Sequence, residues 1–423
     1  MAQLLIKNAK LRGQDELTNI MIENGKFKSI GRNISVTENI ETIDAEGNLV
    51  MPPLVDPHVH LDAVLVAGLL ERKNQTGTLI EAVGIWNDWA KTITKDKIKK
   101  NAKRVIDWYI ANGVLRVRTH ADCTEPTLLT VEALLELKDE MKELIDIQVV
   151  AFPQNGIYSD KRYYDLLIRA IDMGVDVIGG APHLELSRED GVKDVETVYD
   201  LAEKYNRLID IHIDETGDPE SRFVEVMAKE SILRGMGNVS TASHTTAMHN
   251  YNNDYAYKLI GNIAKAGMNM VTNPFDNSTL QNRRDGYPRK RGCTRVDEML
   301  DMGINVCIGH DSIMDPWYSL GKGNMIQAAF LLLHTAQLTG AEQIRQLFNM
   351  ITVNSAKAMC LNDYGIKEGN SADLVIMDGN TEEDILRIQS ECLYVIRKGK
   401  VLCRTTPAKR QLTYKDMNVD FLI

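Results

Sequence analysis

A helix end, a glycine and an apolar strand follow one another repeatedly in the middle of this 423-residue chain. These junctions are Asn112-Gly113, Met173-Gly174, Ala266-Gly267 and Met302-Gly303. Glycine just past a helix end adopts the left-handed conformation without steric cost, so each pair predicts a short helix-to-strand loop. The apolar segments that we interpret as strands are residues 54–60, 114–120, 146–154, 175–182, 208–215, 239–244, 269–274 and 305–312. Eight strands alternating with helices predict an α/β fold of the (β/α)8, TIM-like barrel type.

The two ends of the chain have a different pattern. Apolar and polar residues alternate between tight turns, as in short antiparallel strands, in residues 4–11, 19–31, 40–51, 371–379 and 391–404. We therefore expect one small β-domain built from residues 1–52 and 366–423, beside a barrel domain of residues 53–365. An open, doubly wound sheet is the alternative for the middle, but no Gly-x-Gly-x-x-Gly motif follows its first strand.

Charge and cysteine content limit the possible partners and the compartment. The formal net charge of −10 argues against binding to nucleic acid or to an anionic membrane. The amino terminus lacks a secretory signal pattern, and the longest apolar run is far too short to span a bilayer. None of the six cysteines forms a Cys-x-x-Cys pair, which favours reduced thiols. We expect a cytoplasmic protein.

Side chains able to bind a metal ion lie at the ends of the predicted strands, where barrel enzymes carry their chemistry. His58 and His60 are two residues apart, so both imidazoles point to one side of the first strand. His212 and Asp311 follow two other buried strands. Three histidines and one carboxylate suit Zn²⁺ or Fe²⁺ and leave a position for water. We predict one divalent metal ion bound by these four residues.

Two further residues at strand ends can serve that water. Glu215, three residues after His212, can accept and donate protons, and His244 can orient or deprotonate the water. The alternative for each is a hydrogen-bonded core residue. His120 is expected close to the metal site, whereas His310 is expected to point to the opposite face of its strand and to have a structural role.

Long segments of the chain resemble the bacterial cytosine deaminases of the amidohydrolase superfamily. The segments that carry this resemblance are PPLVDPHVHLD, GTL at 77–79, VRTHAD, IQVVAFPQNGI, IDIHIDE, ASHTTAMHNYN, YPRKRG and GINVCIGHDSIMDPWYSLGKGNM. The similarity extends into the tail, through NSAKAM and YGIKEGNSADLVI. The resemblance implies a (β/α)8 barrel beside a small β-sandwich, which agrees with the pattern of strands.

The resemblance also implies roles for individual residues. It matches His58, His60, His212 and Asp311 to the metal ligands of the family, and Glu215 and His244 to its proton carriers. It matches Gln154 to the glutamine that binds the pyrimidine edge, Leu79 to a residue whose backbone holds the ring, and Phe152 and Trp317 to aromatic pocket walls. The predicted fourth strand ends without the lysine that bridges two metals in dinuclear relatives. The implied enzyme thus carries one Fe²⁺ or Zn²⁺ ion and forms a homo-oligomer.

The expected reaction is hydrolytic deamination of a free pyrimidine base, as in pyrimidine salvage. A divalent metal lowers the pKa of bound water towards ~7. Asp311 and His244 would take the proton of the water, and Glu215 would protonate ring N3 while C4 is attacked. Nucleic-acid cytidine deaminases carry a His-x-Glu and Pro-Cys-x-x-Cys signature, which is absent here.

Ser312 departs from the family pattern. Cytosine deaminases have a second aspartate directly after the metal-binding one, near C5 of the ring, whereas this chain has Asp311-Ser312. Serine is smaller and neutral, and a methyl group in a fitting pocket contributes roughly 1–3 kcal/mol to specificity. We expect the enzyme to convert cytosine to uracil and 5-methylcytosine to thymine, with Ser312 deciding any preference for 5-methylcytosine. A tolerated substitution in an ordinary cytosine deaminase is the alternative.

Other activities stay open. Relatives deaminate isoguanine, creatinine or pterins, or remove amines from triazines, and isoguanine can mimic the edge that cytosine presents to Gln154 and Glu215. Some barrels of the superfamily are non-catalytic assembly proteins. Metal content after gentle purification distinguishes that class, because a structural relative would carry none.

Overall fold

The computed structural model describes residues 3–34, 40–67 and 73–419. Strands from both ends of the chain form one mixed sheet in the order β16-β15-β14-β5-β1-β2-β3, with β4 paired to β1. The strands of this sheet are β1 (Gln3–Leu11), β2 (Leu17–Glu23), β3 (Lys26–Gly31), β4 (Glu41–Asp44), β5 (Leu49–Met51), β14 (Leu374–Met377), β15 (Cys392–Arg397) and β16 (Lys400–Arg404). A short hairpin of β17 (Gln411–Leu412) and β18 (Met417–Asn418) follows. The domain boundaries at residues 52 and 366 stay a prediction.

The middle of the chain forms eight parallel strands in sequential order, each paired with the next. They are β6 (Leu54–Val59), β7 (Val114–Asp122), β8 (Asp146–Phe152), β9 (Val177–Ile178), β10 (Leu208–Ile213), β11 (Ser240–His244), β12 (Asn269–Thr272) and β13 (Asn305–Ile308). The first and last strands meet through a parallel bridge between Val59 and Asp311. Asp311 N–H donates to the carbonyl of His58 at 2.8 Å, and His60 N–H donates to the carbonyl of Asp311 at 3.1 Å. The predicted barrel fold is confirmed.

Helices connect the barrel strands and cover the outside of the barrel. The helices between barrel strands are α1 (Leu79–Ala90), α2 (Lys95–Ala111), α3 (Leu129–Met141), α4 (Tyr163–Asp172), α5 (Arg188–Tyr205), α6 (Phe223–Arg234), α7 (Asn253–Ala266), α8 (Pro274–Leu280) and α9 (Val296–Asp301). The last barrel strand is followed by α10 (Met325–Thr335), α11 (Ala341–Met350) and α12 (Val353–Ala358), and α13 (Glu382–Ile388) connects β14 to β15 of the terminal sheet. The four glycines that mark the predicted helix-to-strand junctions all have positive φ, from 69° to 100°. Glycine therefore ends these connections as the sequence predicts.

The fourth barrel strand is shorter than the sequence predicts. β9 covers two residues, whereas the apolar pattern predicts residues 175–182. The strand ends at Gly179-Gly180, and a Cβ on Gly180 would lie 2.5 Å from Oδ1 of Asp194 on α5. A Cβ at position 180 would collide with this buried carboxyl group, so the position requires glycine. The backbone at these glycines still pairs with the neighbouring strands, because Gly179 N–H donates to Ala151 and His212 N–H donates to Gly180.

The barrel and the terminal sheet have separate apolar cores. The larger cluster fills the space between the barrel strands and their helices, and includes Val117, Val149 and Ile211. A smaller cluster around Ile6 and Phe27 lies against the terminal sheet. Across residues 3–34, 40–67 and 73–419, none of the helices combines the length and apolar character needed to cross a membrane.

Candidate active site

Three histidines and one aspartate converge at the C-terminal rim of the barrel. His58 and His60 lie at the end of β6, and His212 lies on β10. Its Nε2 atom is 3.2 Å from Nε2 of His58 and 3.1 Å from Nε2 of His60. Oδ1 of Asp311, which follows β13, is 3.5 Å from Nε2 of His58 and 3.4 Å from Nε2 of His60. Atoms that bind one tetrahedral metal ion at about 2.0–2.1 Å are themselves ~3.4 Å apart, so this spacing fits a single divalent ion.

The histidines are held in the neutral form that a metal ion requires. Burial lowers the pKa of His60 to about 4 and the pKa of His58 and His212 well below the ordinary range. Nδ1 of His58 lies 3.0 Å from the hydroxyl of Ser243, which donates to Oδ1 of Asp210 at 2.6 Å. Because the hydroxyl proton goes to Asp210, Ser243 accepts from Nδ1 and the lone pair of His58 is left on Nε2, facing the other ligands.

Glu215 and His244 lie next to this cluster. Oε1 of Glu215 is 3.7 Å from Nδ1 of His244 and accepts a hydrogen bond from Gln281 at 3.3 Å. Nε2 of His244 is 3.8 Å from Oδ2 of Asp311, and the amide nitrogen of Asn277 lies 2.9 Å from its Nδ1. Burial, reinforced by the charge of Asp311, raises the pKa of Glu215 well above its ordinary value. The raised pKa favours the protonated form of Glu215, which can donate to a base.

A cavity opens above the cluster and brings most of the remaining sequence candidates together. Its lining residues are His60, Leu79, Gln154, His212, Glu215, His244, Asp276, Leu280, Asp311, Ser312 and Trp317. Imidazole, carboxyl, amide and hydroxyl groups surround the space, and no lysine or arginine is among these lining residues. The cavity is therefore lined mainly by hydrogen-bonding groups and carries no lysine or arginine charge.

The two aromatic candidates occupy different places. Trp317 lines the cavity, and its ring stacks on His60 at a centroid distance of 5.9 Å. Phe152 is absent from the lining, and its ring stacks on His212 at 4.0 Å with an interplanar angle of 20°. Phe152 thus supports a candidate metal ligand from behind, whereas Trp317 faces the ligand space.

The sequence analysis missed Asp276 and Leu280, which both line the cavity. Asp276 lies on α8, directly after the seventh barrel strand, and its Oδ2 accepts a hydrogen bond from the backbone N–H of Ser312 at 3.3 Å. The sequence did contain one indication of Asp276, which is its position just after the seventh predicted strand. The sequence analysis proposed no site residue at the end of that strand. Burial raises the pKa of Asp276 well above its ordinary value, and the charge of Asp311 adds to this effect.

The other histidines of the strand ends surround the cluster without facing the cavity. The ring of His120 lies 4.0 Å from that of His58, centroid to centroid. Neither of its nitrogens has a hydrogen-bond partner among the described residues. Nδ1 of His310 donates to the carbonyl oxygen of Ser312 at 2.9 Å, and its ring packs on Phe275. His310 thus supports the loop after β13 from outside the cavity.

A buried arginine lies beneath the histidines. Arg118 on β7 donates to Oδ2 of Asp210 at 2.9 Å and to Oγ1 of Thr241 at 3.2 Å. It also donates to Oε1 of Gln148 at 3.0 Å and to the carbonyl of Ala358 at 2.9 Å. Since Asp210 also accepts from Ser243, it connects this arginine to the hydrogen bond that orients His58.

Fold and site together define a class, the barrel hydrolases that act on C–N bonds. The sequence profile of the amidohydrolase family matches residues 41–403. The chain therefore belongs to the amidohydrolase family, as the resemblance in the sequence implies.

Solved and curated relatives agree with this assignment. The structure of 5-methylcytosine deaminase from Klebsiella pneumoniae liganded with 5-fluorocytosine is 42% identical, with a TM-score of 0.94 over 97% of this chain and 100% of that one. N-isopropylammelide isopropyl amidohydrolase of Pseudomonas sp. (strain ADP) is 30% identical over 95% of this chain and 97% of that protein. Pterin deaminase of Rhizobium rhizogenes is 27% identical over 93% of this chain and 89% of that protein.

Proposed function

We propose that this protein is a metal-dependent hydrolytic deaminase of free pyrimidine bases. It converts cytosine to uracil and 5-methylcytosine to thymine, and it releases ammonia. The observation that carries the proposal is a set of four distances: Nε2 of His212 lies 3.2 and 3.1 Å from Nε2 of His58 and of His60, and Oδ1 of Asp311 lies 3.5 and 3.4 Å from the same two atoms. This spacing stands in a barrel that is 42% identical to the Klebsiella 5-methylcytosine deaminase.

The residues around the cavity support a cytosine-like substrate. The side-chain amide of Gln154 offers both a donor and an acceptor, which suits the edge of a pyrimidine. A protonated Glu215 can donate to N3, the unprotonated ring nitrogen next to C4. With N3 against Glu215 and C4 beside the histidines, C5 lies against another wall. Ser312 follows Asp311 directly, so we place C5 beside Ser312, where a small side chain leaves room for a methyl group.

We assign each proton transfer to a residue of this chain. A metal ion held by His58, His60, His212 and Asp311 would lower the pKa of a water molecule and so favour hydroxide at neutral pH. Asp311 accepts the proton of this water. The amide nitrogens of Asn277 and Asn273 lie 2.9 Å from Nδ1 and 3.2 Å from Nε2 of His244, and they hold its ring where it can orient the water. Glu215 protonates N3 as the new C4–O bond forms, and it then takes the remaining proton of the C4 hydroxyl. Asp311 gives its proton to the amino group as the C4–N bond breaks, so ammonia leaves and both carboxyl groups return to their starting states.

The same proposal covers the metal and the cellular setting. His58, His60, His212 and Asp311 would hold one Zn²⁺ or Fe²⁺ ion, since imidazole and carboxylate ligands suit both. All six cysteines are free in the structure, which supports the cytoplasm as the compartment. We further propose a homo-oligomer, which light scattering of the purified protein will test.

The test is the ratio of kcat/KM for 5-methylcytosine to that for cytosine, with ammonia release as the readout and one metal reconstituted. We expect turnover of both bases and a ratio above one, which Ser312→Asp should reverse. A ratio far below one with fast cytosine turnover would leave an ordinary cytosine deaminase. If neither base reacts and isoguanine does, the proposal is wrong about the substrate. Glu215→Gln should lower kcat by about 10²–10⁴ and leave metal content unchanged.

A further inference from the structure

Asp276 places a carboxyl group in the cavity wall that the proposed reaction does not use. Its side chain is buried, with an exposed fraction of 1%, and it lines the cavity next to Ser312. The backbone N–H of Ser312 donates to its Oδ2 at 3.3 Å. The side chain of Ser312, which carries a hydroxyl group, lines the cavity beside this carboxyl group. The wall beside Ser312 is therefore polar.

The fold does not compensate Asp276 with a positive charge. In the part of the chain that the structure describes, no lysine or arginine forms an ion pair with this residue. A buried carboxyl group without a cation destabilises a folded protein. Such groups occur where binding or catalysis uses them. We therefore looked for a ligand group that would hydrogen-bond to this carboxyl.

The proposed orientation of the ring identifies that ligand group. C4 lies at the histidines, N3 lies against Glu215, and C5 lies beside Ser312. A substituent on C5 therefore points at the wall that Ser312 and Asp276 share. A methyl group there would contact polar atoms without hydrogen-bonding to them, whereas a hydroxyl group one carbon further out would find an acceptor. A carboxyl group keeps an acceptor oxygen whether or not it is protonated.

We propose that Ser312 and Asp276 form a polar subsite for the C5 substituent, and that the enzyme also deaminates 5-hydroxymethylcytosine. This inference rests on the proposed function and extends its substrate class. The product is 5-hydroxymethyluracil. Water supplies the oxygen of the new C4 carbonyl, the C4–N bond breaks and ammonia leaves. The hydroxymethyl group stays unchanged and donates its O–H to Asp276.

A pair of substrates tests the subsite in the unaltered enzyme. 5-Ethylcytosine and 5-hydroxymethylcytosine differ only by a methyl group in place of the hydroxyl group, so their sizes are similar. We expect kcat/KM to be at least tenfold higher for the hydroxymethyl compound, because the ethyl group leaves the buried acceptor unpaired. Equal or better turnover of 5-ethylcytosine would overturn the inference.

Cytosine and 5-methylcytosine in the same assay separate the two proposals. If both react and 5-hydroxymethylcytosine does not, only the subsite is wrong. If none of the four bases reacts, the proposed function itself is wrong, and the subsite with it.

Two variants then test whether Asp276 is the acceptor. Asp276→Leu has a similar size but no acceptor, and we expect it to lower the hydroxymethyl-to-ethyl ratio at least tenfold. Asp276→Asn keeps a carbonyl oxygen, and its ratio should stay within about threefold of the unaltered enzyme. Far-UV circular dichroism and the thermal midpoint of each variant show whether it is folded. If Asp276→Leu cannot be prepared, Asp276→Asn and the substrate pair decide. An unchanged ratio in a folded Asp276→Leu would exclude Asp276.

Discussion

The interior of the barrel contains two polar regions that are built in opposite ways. In the lower region, Arg118 is completely buried and its guanidinium group donates four hydrogen bonds. In the upper region, three imidazole nitrogens converge on one another without a donor for each acceptor. Nδ1 of His212 and both nitrogens of His120 form no hydrogen bond with the described residues, although Nε2 of His120 lies 3.6 Å from Oδ1 of Asp210. The lower region is satisfied by the protein alone, whereas the upper region is incomplete.

The comparison shows which polar groups serve stability and which serve ligand binding. Buried polar groups stabilise a fold when they are paired and destabilise it when they are not. A cluster of neutral imidazoles with convergent lone pairs is complete only when a cation joins it. Asp210 belongs to both regions, because one oxygen binds Arg118 and the other accepts from Ser243, which binds His58.

Removal of a metal ligand should have the largest effect. His212→Ala is expected to lower kcat/KM for 5-methylcytosine by more than ~10³-fold, because a metal ion contributes several kcal/mol to the stabilisation of the transition state. Metal analysis should show loss of the bound ion. His334→Ala, an exposed histidine on α10, is the control and should change neither value. Retention of both metal and activity by His212→Ala would contradict the metal site.

Breaking the lower region should instead reduce stability. Arg118→Met leaves Asp210 buried and without its cation, which costs about 3–5 kcal/mol in the free energy of unfolding. Urea unfolding followed by circular dichroism measures this change. Lys138→Met removes a pair with Asp176 that is partly exposed, and should cost no more than ~1 kcal/mol. Equal losses of unfolding free energy in the two variants would mean that the buried network stabilises the fold no more than a partly exposed ion pair does.

The connection between the regions predicts an intermediate effect. Ser243→Ala removes the hydroxyl that lies 3.0 Å from Nδ1 of His58. Loss of such an outer hydrogen bond typically weakens metal binding 10–100-fold. Competition with a chelator measures the affinity. Ser278→Ala removes a partly buried hydroxyl on α8 that bonds only to the backbone carbonyl of Phe275, and serves as the matched control. If Ser243→Ala binds the metal with unchanged affinity, the hydrogen bond between the two regions does not contribute to metal binding.

The smallest expected effect is on the pH dependence of stability, and it comes from a second buried aspartate, Asp194. Burial and the neighbouring Glu185 raise the pKa of Asp194 well above its ordinary value, whereas His120, Arg118 and Ser243 overcome the effect of burial and lower the pKa of Asp210. In the unfolded chain Asp194 loses its proton near pH ~3.9. Above that pH the unfolded state binds fewer protons than the folded state, so Asp194 makes stability fall as pH rises.

Thermal midpoints of the unaltered protein and of Asp194→Asn between pH 5 and 8 test this. The asparagine variant cannot lose a proton at this position and should show the shallower fall. A steeper fall in the variant would reverse the assignment.

The sequence was sufficient for the fold because its signals are local. Glycine after a helix end and short apolar runs identify the barrel strands one at a time, and their sequential order follows from the alternation with helices. The length of β9 was not predictable in this way. The glycine that follows this strand is required by a contact between separate elements, because Oδ1 of Asp194 lies 2.5 Å from where a Cβ of Gly180 would stand.

The residues of the candidate site likewise include some that a local sequence pattern identifies and others that only distant contacts place. His58 and His60 are recognisable because their spacing puts both side chains on one side of a strand. Asp276 lacks such a pattern, since its place in the wall depends on how α8 folds back towards the loop after β13. The position of Phe152 was not predictable either. The family resemblance matches it to an aromatic pocket wall, whereas the structure shows its ring stacked on His212. The roles of the site residues remain predictions.

The closure of the barrel has a consequence for the biosynthesis of the enzyme. The backbone bonds that join β6 to the segment after β13 are made by His58, His60 and Asp311 themselves. Chain closure and assembly of the ligand set are therefore one event. A nascent chain still lacking its last barrel strand holds two of the histidines next to an open sheet edge. Tight metal capture thus comes late in synthesis, and a ribosome-bound fragment that ends before residue 305 should not retain the ion.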